Sequence, residues 1–144
     1  MESNLGAFAM PEVVRILIKG TSGYCSIVNA YSDKVTITPN SISYEYKPYE
    51  EMDANRPVKW SYRTSNPAFQ ELFEKVADIL TWEEEYFVTD IGSTTFVVTY
   101  DDKTRVQKDL LLFRDDFAEC FALVKKMVPG LEAVPAVLRT AEDH

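Results

Sequence analysis

The sequence predicts an α+β fold: antiparallel sheet carrying two amphipathic helices, arranged as a tandem pair of β-β-β-α units. Three observations predict it. Short apolar runs alternate with polar residues at period two, the mark of strands with one buried and one wet face. Two later stretches place apolar residues at helical spacing, Phe69, Leu72, Phe73, Val76 and Leu80 in the first, Phe117, Cys120, Phe121, Val124 and Val128 in the second. Phe69, Glu71, Phe73 and Val76 also recur at the same offsets as Phe117, Glu119, Phe121 and Val124, as a repeat requires.

Each element follows from local chemistry. Residues 1–10 read as a loose leader, and Met10 is a candidate start because strand-like sequence begins directly after it. Val13 to Ile18 is a β-branched run, closed by a turn at Gly20-Thr21-Ser22-Gly23. Tyr24 to Ala30 is a second strand, and Tyr31 to Lys34 reads as another turn. Val35 to Thr38 and Ile42 to Lys47 flank Pro39-Asn40-Ser41, a hairpin signal, because Pro and Asn preset turn dihedrals. Ile42, Tyr44 and Tyr46 alternate with Ser43, Glu45 and Lys47, and Val58, Trp60 and Tyr62 with Lys59, Ser61 and Arg63.

Ser65 or Asn66 then caps the first helix, with Pro67 in its first turn. Strands return at Tyr86 to Ile91, Thr94 to Tyr100 and Arg105 to Phe113. The last helix begins near Arg114, with Asp115 and Asp116 against its dipole, and Pro129-Gly130 ends it. Leu131, Val134, Val137 and Leu138 pack back on the domain, and the chain beyond Arg139 is loose. The expected layout is one domain over 11–139, with repeat units 34–82 and 85–129 and a tail at 140–144. From Tyr46 to Phe69 is 23 residues and from Tyr100 to Phe117 is 17, a mismatch that one longer hairpin loop in the first unit absorbs. This outline resembles small tandem-repeat inhibitor proteins such as the β-lactamase-inhibiting proteins, a likeness at the level of fold alone.

Composition narrows the function classes. The chain has 144 residues, 46% of them hydrophobic, which is enough for a core without disulfides or metal. Its net charge of −8 disfavours direct binding to nucleic acid or anionic membranes. The basic residues look scattered, the closest group being Arg56, Lys59 and Arg63. No apolar run reaches the ~18 residues of a membrane-spanning helix. The two cysteines, Cys25 and Cys120, read as small core residues in a reduced, cytoplasmic setting.

Catalytic chemistry finds little to stand on. The single histidine is His144, the final residue, which removes the commonest general base. Neither cysteine has a histidine partner to activate it. Glu83, Glu84 and Glu85, and the pair Asp101 and Asp102, match no calcium-loop spacing. No cofactor, metal site or catalytic residue is expected, and the chain reads as a non-enzyme.

Two surface features remain. The loop from Pro48 to Pro57 carries Tyr49, Glu50, Glu51, Met52 and Asp53, and it is the insertion that distinguishes the first unit from the second. From Pro67 to Glu85 six acids face one lysine, Lys75, a net charge of −5 beside Trp82. The expected interaction residues are therefore Tyr49, Glu50, Glu51, Asp53, Trp82, Glu83, Glu84 and Glu85. An acidic surface with an aromatic anchor suits a basic protein partner, in an inhibitor or adaptor. The alternatives are an acidic nucleic-acid mimic that blocks a DNA- or RNA-binding protein, and a small carboxylate-dependent enzyme. A free edge strand also leaves a homodimer open.

Overall fold

The alternating runs assemble into one six-stranded antiparallel sheet in the computed structural model, which describes residues 11–22, 30–53, 55–83, 92–111 and 114–143. The strands are β1 (Val13–Thr21), β2 (Tyr31–Thr38), β3 (Ser41–Pro48), β4 (Val58–Arg63), β5 (Thr94–Tyr100) and β6 (Arg105–Leu110). Helix α1 (Phe69–Ile79) follows β4, and α2 (Ala118–Met127) follows β6 after a 3-10 turn at Arg114–Phe117. The α+β class is as the sequence predicts. Among the described residues no helix is long and apolar enough to cross a membrane.

Strand order is β4-β3-β2-β1-β5-β6. The sheet thus has two three-stranded halves, β2-β3-β4 leading into α1 and β1-β5-β6 leading into α2. The inner strand of the second half comes from the start of the chain. The strand expected at Tyr86 to Ile91 lies outside the described residues, as do residues 24–29 of the other expected strand.

One expected turn is strand, and another is strand in its first half. Gly20 pairs with Asp33 on one side and Thr94 on the other, so β1 runs into the expected turn as far as Thr21, and Gly23 lies outside the described residues. Asp33 and Lys34 lie within β2, where Asp33 is buried. The reason is steric. A Cβ on Gly20 would stand 2.6 Å from Val137 Cγ2 and 3.0 Å from Asp33 Oδ1, so glycine here admits a neighbouring segment rather than a turn.

Register sorts the side chains. Ile16 faces Ile37 and Val98, Ile18 faces Val35 and Phe96, and Val35 faces Tyr44, which faces Trp60. These residues share the face that both helices cover. From α1 come Phe69, Leu72, Val76 and Ile79, and from α2 Cys120, Phe121 and Val124, all buried. Phe117 sits within the aromatic cluster, 5.2 Å from Phe96 and 5.6 Å from Phe121 between ring centroids. Each such fully buried side chain contributes about 1.5–3 kcal/mol through burial.

The start of α1 is fixed from a distance. Asn66 makes no side-chain cap; its amide donates to the carbonyls of Thr38 (2.8 Å) and Ser41 (3.0 Å), which ties the helix entry to the β2–β3 turn. At the other end Lys108, on the covered face of β6, donates to the carbonyls of Leu80 and Trp82. A cation there complements the C-terminal end of the helix dipole.

The C-terminal segment closes the core. A 3-10 turn at Ala136–Leu138 packs on β1 and β2 with Val137 and Leu138 fully buried. Tyr44 donates its hydroxyl hydrogen to Asp33 Oδ2 (2.7 Å) and accepts from the Ala136 amide (3.2 Å), while the Val137 amide also donates to Asp33 Oδ2 (2.9 Å). Further on, Lys125 pairs with Asp143 at 2.6 Å, and the Ala141 amide donates to Asp115 (2.8 Å). Leu131, by contrast, is 90% exposed.

Candidate functional site

The helices bring together carboxylates that lie far apart in sequence. The acids of α1 fall on its outward side because the inward positions are taken by Phe69, Leu72, Val76 and Ile79; Glu71, Glu74 and Asp78 are exposed. Asp115 and Asp116 open the second helical segment, and Glu119 follows in the first turn of α2. Between the helices runs a cleft of about 370 Å³, lined by Lys75, Asp78, Ile79, Trp82, Asp115, Asp116, Phe117, Ala118, Glu119 and Cys120. Four carboxylates against one ammonium leave its lining at −3.

Trp82 forms one wall. Its ring stacks on Phe117 with 5.6 Å between centroids and 13° between planes, and its indole N–H donates to Asp78 Oδ2 (3.2 Å). The ring is half-buried, so one part is core and the remainder borders the cleft. Lys75 bridges the helices, its ammonium 3.0 Å from Glu119 Oε2, and that hydrogen bond pushes the lysine pKa up.

The other expected site residues stand apart. Tyr49 is 71% exposed, and Glu50, Glu51 and Asp53 are exposed beside it. Their loop is held by paired backbone bonds between Met52 and Asn55, by Tyr46 donating to Asn55 Oδ1 (2.7 Å) and by Asp53 facing Arg56 at 3.8 Å. It joins β3 to β4 at one edge of the sheet, while the Trp82 carbonyl is bonded from β6 at the opposite edge. The two expected patches therefore do not merge. Glu83 is exposed next to Trp82; Glu84 and Glu85 lie outside the described residues.

The loop instead borders a groove that the sequence reading did not assemble. Tyr31, Tyr44, Tyr46, Val58 and Trp60 line it from the sheet, Asp53, Asn55 and Arg56 from the loop, and Glu132, Val134 and Arg139 from the C-terminal segment, around about 700 Å³. Tyr31 stacks on Tyr46 at 5.3 Å, and Tyr62 donates to Glu132 Oε1 (2.6 Å). The period-two aromatics of β3 and β4 were the signal; the C-terminal segment that covers them is remote in sequence.

Reactive groups are quiet. Burial pushes the Cys120 thiol up to about 12, which keeps it protonated and non-nucleophilic at neutral pH. Cys25 lies outside the described residues. Among the described residues no three His, Cys, Asp or Glu side chains are placed to hold a metal ion. No protein-family model and no curated protein matches the chain, so its own residues carry the functional reading.

Proposed function

We propose that the protein is a non-catalytic binding module, of the inhibitor or adaptor type, that offers its acidic helix layer to a basic segment of another protein. One observation carries this reading: Asp78 from the first helix and Asp115, Asp116 and Glu119 from the second converge on one cleft with Trp82 and Phe117 as its apolar wall. Carboxylates held around a fixed aromatic ring give a Lys- or Arg-bearing segment both charge and a stacking surface. A DNA- or RNA-binding protein is one basic partner of this kind, and the module then acts as a nucleic-acid mimic. A cytoplasmic setting goes with the reading, since Cys120 is a buried thiol.

An internal β-β-β-α duplication gives the cleft an origin. The burial of Phe69, Leu72 and Val76 on one helical segment and of Phe117, Cys120 and Val124 at the same offsets on the other supports this reading, in which the cleft is the seam between two like units.

The test is fluorescence anisotropy with a labelled arginine-rich peptide. The expected result is saturable binding that weakens with salt and falls at least tenfold in the Asp116→Lys, Glu119→Lys double variant. Equal affinity for the variant and the unmodified chain overturns the proposal.

A further inference from the structure

The sheet face turned away from the helices carries a charge opposite to that of the whole chain, and we propose that it binds an acidic segment of another protein. This surface is separate from the acidic cleft and does not depend on the reading of that cleft.

The face is defined by register. Leu17 stands between Thr36 and Val97, and Thr36 faces Ser43, which faces Ser61. This central row is neutral and built mostly of small side chains, with Leu17 half-buried and Val97 buried in the floor. On one side of it, Lys19 faces Lys34, and Lys59 lies further along the same row beyond Glu45. On the other side, Arg15 and Arg105 both pair with Thr99, and Arg63 pairs with Ser41. All six of these basic side chains are exposed.

Lys47 adds a seventh cation to the face, and Glu45 and Asp109 are its acids, an excess of five positive charges where the chain as a whole is at −8. Asp109 already accepts from the Thr95 hydroxyl at 2.6 Å, and Glu45 lies 3.5 Å from Lys34 and 3.9 Å from Lys47.

The spacing suits an extended peptide. Arg15 and Lys19 are four residues apart on one strand, so the two basic rows run about 13 Å apart at ~3.3 Å per residue. On β5 the outward-facing Thr95, Val97 and Thr99 are buried, so the accessible row runs over β1 to β4, and a segment lying across those strands reaches both rows with alternate side chains. At one end of the Lys19 row the surface dips into a hollow of about 330 Å³, bordered by Lys19, Lys34 and Lys47, by the carboxylates of Asp33 and Glu45, and by the hydroxyls of Thr21, Ser32, Ser93 and Thr95. Three ammonium groups against two carboxylates leave the hollow at +1, so it adds hydroxyl donors to the basic row rather than a strongly cationic pocket.

Nucleic acid fits less well. No aromatic side chain stands on this face among the described residues, so bases have no stacking platform. Leu17, half-buried in the central row, answers an apolar side chain rather than a phosphate.

The probe is a fluorescein-labelled peptide of alternating glutamate and serine, titrated with the full chain at low and at physiological salt. The expected result is saturable, salt-sensitive binding. It weakens roughly tenfold in the Lys19→Glu, Lys34→Glu variant and comparably in Arg15→Glu, Arg63→Glu, as loss of two partly exposed ion pairs implies. Amide shift mapping on the unmodified chain is expected to move resonances of β1 to β4 and leave those of α1 and α2 in place. That measurement keeps the proposal open to refutation if a variant fails to fold. Absence of saturable binding at low salt, unchanged affinity in folded variants, shifts confined to the helices, or equal or tighter binding of an oligothymidylate of the same charge each overturns it.

Discussion

Replacing Tyr44 by phenylalanine removes one oxygen from the point where the C-terminal segment meets the sheet. The ring keeps its place against Trp60, 5.7 Å away, so no cavity opens and the loss is polar. The hydroxyl donates to the Asp33 carboxylate and accepts from the Ala136 amide, and Tyr44 is only 7% exposed. A hydrogen bond to a charged acceptor is worth about 1.5–3 kcal/mol and a neutral one about 1 kcal/mol, so Tyr44→Phe is expected to cost about 2–4 kcal/mol. Urea unfolding measures the total, and hydrogen exchange at the Ala136 and Val137 amides localises it to the docked segment.

Tyr46→Phe is the control. Its hydroxyl donates to the half-buried Asn55 side chain, and the expected cost is about 0.5–1.5 kcal/mol.

The Tyr44 hydroxyl also sets an alkaline limit. Burial, and then the charge of Asp33, raise its pKa above the ordinary value of 10.0. A folded pKa above the unfolded one means that the native state holds the proton longer. This contribution is complete below pH 10 and is lost as pH rises beyond it, at about 1.4 kcal/mol per pH unit for one proton. Tyr44→Phe flattens the alkaline slope by that amount. A cost below about 0.5 kcal/mol, with unchanged exchange at both amides, refutes the reasoning, since a buried lock of this kind cannot be lost so cheaply.

Three further perturbations follow from the same core. Gly20→Ala drives a methyl to 2.6 Å from Val137 Cγ2 and is expected to cost about 1–3 kcal/mol in urea unfolding, whereas Gly130→Ala meets no atom within 4 Å and shifts stability by under about 0.5 kcal/mol. In a Cys25→Ser background, Cys120 is expected to resist thiol reagents at neutral pH until urea unfolds the chain, because it is buried and its pKa is pushed up to about 12; rapid native-state labelling contradicts this. The hydrogen bond from Lys125 holds the Asp143 carboxyl below its ordinary value of 3.8, so its stabilisation is present above that value and is lost as pH falls through the lowered one. Protection of the Thr140 amide, which donates to Asp143, is expected to fall over that acid range relative to its intrinsic exchange rate in the unmodified chain, and to be low and independent of pH in Asp143→Ala.

Local pattern carried much of the fold. The hairpin about Pro39 and Asn40, the alternation of β3 and β4 and the buried stripes of both helices all rest on periodicity, which neighbouring residues determine. What escaped was set by remote partners. Gly20 looks like a turn residue until Val137 arrives to fill the space a Cβ would need. Asp33 looks like a turn acid until Tyr44 and Val137 bond it in the interior. Asn66 has the composition of a cap, yet its amide is used by carbonyls of the β2–β3 turn. The acidic patch was legible on α1 alone, and its junction with Asp115, Asp116 and Glu119 needed the packing of the two helices. The basic face was written at every second strand position, but the order in which strands join decides whether such residues meet.

That order also changes what the net charge means. A value of −8 is a sum over the chain, while a partner meets one surface at a time. The Debye length is about 8 Å at physiological salt, and a helix layer alone is about 10 Å thick, so charges on the helix side are largely screened from the far side of the sheet. Each face then acts through its own local sign: acidic over the helices, basic over the open sheet. An inhibitor of one target needs only one of them. An adaptor needs both, and needs them independent. If reversing Asp116 and Glu119 leaves the glutamate-peptide affinity unchanged, and reversing Lys19 and Lys34 leaves the arginine-peptide affinity unchanged, the two surfaces are independent and the adaptor form is the one the fold supports. Loss of both affinities on either reversal means a single shared surface and returns the reading to an inhibitor.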